Sequence, residues 1–148
     1  MKKIEPGAAH IFTVIILLLC TSAVKAQNVT LIVSGIKSNK GQIYVTAFKD
    51  QASFKSEKPL TVVKFSKETL ANGVLKVNFT LEPGIYGLAL MDDENNNGKM
   101  DKNFFGIPKE GFGFSNFYLS GFSRPTFNDF KFEVGKTPVK IETKLRFM

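Results

Sequence analysis

Leu75, Val77, Phe79 and Leu81 alternate with Lys76, Asn78 and Thr80. A chain that repeats this period of two in short runs, punctuated by turn residues, has few ways to bury its apolar faces other than by stacking β-sheets. Seven such runs are expected to be strands, over residues 28–35, 41–48, 60–66, 73–81, 85–91, 130–134 and 139–147. In the second, Ile43, Val45 and Ala47 share one face and Tyr44, Thr46 and Phe48 the other. The near-continuous apolar run IYGLALM predicts a central strand covered on both faces. Residues 51–59 predict a connection with one helical turn, and residues 82–84 (EPG) a reversal. The expected fold is all-β: an antiparallel β-sandwich of about seven strands with one long Gly/Phe-rich loop over residues 92–124. A loop of that length is functional or tied down.

The N-terminus sets the compartment. Lys2 and Lys3 precede the apolar stretch IFTVIILLL, and Val24 and Ala26 stand at −3 and −1 of a cleavage site. Residues 1–26 are therefore expected to be a signal peptide and residues 27–148 a single domain, periplasmic or extracellular. The apolar stretch falls short of the roughly 20 residues a spanning helix needs, so no stable membrane span is expected after cleavage. Cys20 and His10, the only residues of their types, leave with the leader, and the chain has no Trp. Disulfides, thiol nucleophiles, Ser-His-Asp catalysis and imidazole or thiolate metal sites are thereby excluded from the mature chain. Hard oxygen chemistry remains. The net charge of +7 is dispersed along the chain, which argues against nucleic acid and leaves association with an anionic envelope surface open.

One stretch carries chemistry of that kind. Asp93, Asn95 and Asn97 alternate, Gly98 follows, and Asp101 stands at the ninth place. This spacing lets side-chain oxygens converge on one cation while the backbone wraps around it. The Lys99 carbonyl occupies the seventh place. Phe104 stands where a helix-loop-helix hand has its bidentate Glu, so the missing ligand is expected from Asp92, Glu94 or Glu110, or from water, and Glu110 is counted among the candidate metal residues. Calcium is the expected ion, held weakly in the range of about 10⁻⁴ to 10⁻³ M. The competing reading is a plain polar hairpin turning at Asn97-Gly98.

Nine of the fifteen phenylalanines fall between Phe104 and Phe132, interleaved with Gly106, Gly111, Gly113 and Gly121. Such rings are expected to tuck the loop onto the sandwich while the glycines take positive φ. The alternative is a groove for a glycan, peptide or lipid, lined by Phe112, Phe114 and Phe117 with Ser115, Asn116 and Tyr118 as polar anchors.

The blocks DDENNNGKMDKNFFGIPKEGFGFSN and PGIYGLALM, behind an exported N-terminus, closely resemble a family of uncharacterised bacterial secreted proteins known as domain of unknown function twenty-one forty-one. The resemblance places the family's polar loop on Asp93, Asn95, Asn97, Gly98 and Asp101. Its second block falls on Gly106, Pro108, Glu110, Gly111, Gly113, Ser115 and Asn116. It implies a small sandwich of prealbumin-like or immunoglobulin-like type and no activity. Asp92 stands where that family often has His, so a mechanism resting on that His would be lost here.

Two classes of function fit. One is a non-enzymatic module whose calcium-ordered loop presents a surface to an envelope protein or glycan. The other is a carboxylate-based hydrolase using two of Asp92, Asp93, Asp101 and Glu110 across a glycosidic bond. A carrier holding an apolar ligand under the phenylalanine loop lies between them.

Overall fold

The computed structural model describes residues 25–148, so residues 1–24 of the expected leader lie outside it. Eight strands form two sheets. β1 (Gln27–Ser34), β4 (Val74–Leu81) and β8 (Val139–Lys144) make a three-stranded sheet in the order β4-β1-β8. The second sheet runs β3 (Thr61–Ser66), β2 (Gln42–Phe48), β5 (Gly84–Asp93), β6 (Phe112–Phe114), and β7 (Lys131–Val134) pairs with β5 as well. Two short helices, α1 (Gln51–Lys55) and α2 (Phe127–Phe130), lie in the connections. None of the described helices is long and apolar enough to cross a membrane.

The alternation does what the sequence expects. Val29, Leu31 and Val33 of β1, Ile43 and Val45 of β2, and Leu88 and Leu90 of β5 meet between the sheets, none more than 3 % exposed. Each fully buried side chain of this kind is worth about 1.5–3 kcal/mol. β5 is central, with β2 on one edge and β6 and β7 sharing the other.

The structure departs from expectation at three points. First, the sandwich is not wholly antiparallel: β1 and β8, the first and last strands, run parallel. The chain crosses to the three-stranded sheet after β7 and enters β8 from the end where β1 begins. Second, β6 is an eighth strand inside the presumed loop. Third, of the loop's interleaved glycines only Gly106 takes positive φ. Gly111 and Gly113 are glycine for space: a Cβ would come within 2.5 Å of the Phe147 ring and of the Thr143 methyl, respectively. Their bareness lets the C-terminal strand lie against β6, where Phe112 and Arg146 exchange both backbone hydrogen bonds at 3.0 and 2.7 Å. That seam joins the two sheets along one side.

Candidate functional site

The outer face of the five-stranded sheet is built from two cross-strand rows. Val62, Thr46, Ala89 and Phe114 form one, and Lys64, Tyr44, Met91 and Phe112 the other. Opposed residues of an antiparallel pair share a face, so sequence alternation fixes these rows. Phe48, Phe54, Phe112, Phe114, Phe127 and Phe130 pack into a second apolar cluster there. The tucked arrangement therefore describes these rings. Phe104, Phe105 and Phe122 escape it, at 98, 82 and 88 % exposure.

Ser115 marks the junction on β5. Leu88 lies between the residues paired with β7 and those paired with β6. Its N–H donates to Ser115 Oγ at 2.9 Å, and Ser115 Oγ donates to the Phe130 carbonyl at 2.6 Å. Ser115 is fully buried, so its hydroxyl serves the backbone and reaches no surface. Ser115→Ala leaves one buried N–H and one carbonyl unmatched. It is expected to cost about 2 kcal/mol in urea unfolding, and a loss near zero would mean the two groups find other partners. Asn116, at φ 52, clasps Glu142 twice: its N–H donates to the Glu142 carbonyl at 2.8 Å and its Oδ1 accepts from the Glu142 N–H at 2.9 Å.

The acidic loop starts where β5 ends, and its backbone wraps around Asp93. That carboxylate accepts from the N–H groups of Asn97 (3.1 Å) and Gly98 (2.9 Å). Asn95 Oδ1 accepts from the Asn97 N–H and Asn97 Oδ1 from the Lys99 N–H. Asn96 and Gly98 supply the positive φ values that tighten the wrap. The amide groups of Asn95 and Asn97 both donate to the Asp101 carboxylate, at 2.6 and 3.0 Å.

Glu110 reaches back into this loop. Its Oε2 accepts from the Asp101 N–H at 3.2 Å, while its Oε1 is buried with no hydrogen-bond partner. The residue is 7 % exposed. Burial pushes its carboxyl above the usual range, opposed by the Asp101 N–H and reinforced by the charges of Asp101 and Asp93. The Glu94 amide is near enough to favour the charged form but makes no hydrogen bond with Oε1. The structure thus brings Asp93, Asn95, Asn97, Asp101 and Glu110 to one loop. Among the described residues, no three His, Cys, Asp or Glu side chains are gathered closely enough to hold a metal by themselves. A site here would need the amide oxygens and the Lys99 carbonyl as well.

Asp92 is elsewhere. It points between the sheets, fully buried, and pairs with Lys67, whose ammonium also donates to the carbonyls of Ser38 (3.0 Å) and Lys40 (2.7 Å). Burial raises the Asp92 pKa and Lys67 opposes the rise. Lys67 had no sequence signal: it sits in FSKETL, a segment that looks solvated.

The acidic loop walls a groove of about 590 Å³ over the outer face. Tyr44, Thr46, Val62, Ala89 and Met91 form its floor, Phe54, Phe112 and Phe114 one end, and Gly98, Met100 and Pro108 the loop side. Gly98 closes over the Tyr44 hydroxyl, which lies 3.1 Å from where a Cβ would stand. Asn116, Phe117 and Tyr118 line a different hollow of about 550 Å³ with Ile32, Val74 and Lys144. The expected ligand residues are therefore divided between two surfaces. Tyr44, Thr46 and Met91 went unremarked as groove residues, although the second face of the 41–48 run was the signal for two of them.

No curated protein and no solved structure matches the chain. Residues 31–142, which hold every strand described above except parts of the first and last, match the model of a family described as "Uncharacterized protein conserved in bacteria (DUF2141)", and the chain belongs to that family.

Proposed function

We propose that this is an exported, non-enzymatic β-sandwich module in which a weakly bound calcium ion orders the loop from Asp93 to Glu110. That loop is one wall of a groove that receives an envelope protein or glycan. The reading is carried by Glu110 Oε1, a buried carboxylate oxygen with no hydrogen-bond partner that feels the charges of Asp101 and Asp93. A buried charge in that position lacks a positive partner. Asp93, Asn95, Asn97, the Lys99 carbonyl, Asp101 and Glu110 supply only oxygens, the donor set of a hard cation. A cation would compete with the Asn95 and Asn97 amides for Asp101, which favours weak binding.

The hydrolase reading has less support. It needs two carboxyls facing each other across open space, whereas Asp92 and Glu110, the two with raised pKa, are both buried. The apolar floor of the groove favours one second reading, a carrier for an apolar ligand; a lipid retained through purification and displaced by filling the groove at Ala89 would decide for it.

Calorimetric titration of the chelator-treated mature protein (residues 27–148) with calcium, and with magnesium as control, tests the proposal. Saturable binding near 10⁻⁴ to 10⁻³ M is expected, and calcium at about ten times Kd should add about 1.4 kcal/mol of stability. Glu110→Gln should shift two measurements in opposite directions. Removing the buried charge raises calcium-free stability by about 1 kcal/mol, while calcium affinity falls. No calcium binding at several millimolar, with Glu110→Gln merely neutral, would defeat the reading.

A further inference from the structure

Between Asp101 and Glu110 the chain makes a small hairpin with an unusual apex. Asn103 and Ile107 pair through the Asn103 N–H and the Ile107 carbonyl at 2.9 Å, Lys102 bridges Pro108, and the Lys109 N–H donates to the Asp101 carbonyl at 2.8 Å. The Gly106 N–H donates to the Asn103 carbonyl at 2.9 Å, which makes residues 103–106 a hydrogen-bonded β-turn. The side chain of Asn103 tightens the same turn, its Oδ1 accepting from the N–H groups of Phe105 (2.9 Å) and Ile107 (3.0 Å). Gly106, at φ +77, completes the turn.

The two residues at the centre of that turn are Phe104 and Phe105. Their rings stand edge to face, 5.5 Å apart, and are 98 and 82 % exposed. Ile107 adds a third exposed apolar side chain. Turn centres favour small or polar residues, and a soluble surface gains nothing from two rings held almost wholly in water. The exposed charges of this segment are cationic: Lys102 and Lys109 on the hairpin arms and Lys99 just before them are all exposed, whereas Glu94 and Asp101 are half-buried and Asp93 and Glu110 buried.

We infer that this hairpin is an anchor for an anionic lipid surface, with Phe104 and Phe105 entering the interface and Lys99, Lys102 and Lys109 meeting the headgroups. An apolar tip behind which cationic side chains lie at headgroup depth is the arrangement by which peripheral segments hold to anionic bilayers. Charge complementarity selects that occupant over a neutral apolar partner. The shape agrees, because the rings project from a convex tip and require no matching pocket. The turn's hydrogen bonds fix the tip before contact, so insertion does not have to order it.

The hairpin base is also the ion loop. Asp101 begins one strand of the hairpin and Glu110 follows the other, and the two are joined by the Asp101 N–H to Glu110 Oε2 bond. A cation held by both would fix the angle at which the tip leaves the sandwich. This calcium dependence rests on the function proposed above; entry of the rings into lipid does not.

The test is co-sedimentation of the mature protein (residues 27–148) with vesicles of phosphatidylethanolamine and phosphatidylglycerol, with phosphatidylcholine vesicles beside them, in calcium and in chelator. Calcium calorimetry is run on the same samples. Binding to the anionic vesicles should fall about ten-fold or more in Phe104→Ser/Phe105→Ser, with calcium affinity unchanged. It should fall about ten-fold in Lys102→Glu/Lys109→Glu, and rising salt should weaken the wild-type protein. Vesicle binding through the two rings without any calcium binding would remove the ion and keep the anchor. Calcium binding without vesicle binding would overturn the anchor and keep the ion. Self-association dispersed by the Phe104/Phe105 variant, with no vesicle binding, would overturn it in favour of a second copy of this chain.

Discussion

Lys67→Met is expected to destabilise the protein by about 3–5 kcal/mol, the usual scale for removing one member of a buried ion pair. The Lys67 side chain is fully buried and makes three contacts at once, to Asp92 and to the carbonyls of Ser38 and Lys40. Those contacts tie the turn before β2 and the segment after β3 to the end of β5. Without the ammonium, Asp92 is a carboxylate between two sheets with no counter-charge. The variant should recover part of its loss as pH falls: the buried carboxyl, already raised by burial, takes up a proton in the folded state before the unfolded state does, and stability then rises with falling pH. Asp92→Leu alone strands Lys67 and should cost a similar amount. The double variant Lys67→Met/Asp92→Leu should regain most of both losses, because an apolar pair of similar volume replaces a desolvated one. Urea unfolding of all four proteins measures the coupling directly, and additive losses would show that the two side chains do not depend on each other.

Gly41→Ala is the second large effect, expected at about 2–4 kcal/mol. Gly41 has φ +71, and a Cβ there would run into the Asp93 carbonyl and stand 2.6 Å from Glu94 Cα. These obstacles are backbone and cannot rotate away. They belong to Asp93 and Glu94, which open the acidic loop, so under the calcium proposal the variant should also lose stabilisation by added calcium. Gly106→Ala is the matched control. Gly106 has φ +77 but nothing within 4 Å of a Cβ, so only the left-handed conformation is penalised, at about 1–2 kcal/mol. Equal losses in the two variants would mean that the turn before β2 does not press on the acidic loop.

Strand positions were legible because burial enforces a period of two, and Leu75 to Leu81 or Ile43 to Ala47 carry it plainly. β6 was not, because Phe112-Gly113-Phe114 carries no polar alternation and Gly113 reports the closeness of Thr143, a residue 30 positions away. The same limit applies to Lys67. Nothing local distinguishes a lysine whose ammonium meets Asp92 from one in solvent, since the partner is brought in by the pairing of β5 with β2. The wrap of the acidic loop could be read from spacing because its geometry is local: Asp93 meets Asn97 and Gly98 within six residues. Glu110 was reachable as a candidate, whereas its unpartnered oxygen is a property of three-dimensional burial. Ser115 was misjudged for a similar reason, its polarity being used by the edge of β5 and not by a ligand.

The parallel pairing of the first and last strands gives the protein a mechanical character. Load applied at the two ends of the described chain enters β1 at Gln27 and leaves β8 at Lys144, along the direction of a ladder with six paired positions from Val29 to Ser34. Opposite pulls on parallel neighbours slide one strand along the other, so the rungs strain together instead of parting one after another as a hairpin unzips. Tension between a fixed tail and a tethered head would therefore be borne by β1 and β8 in shear.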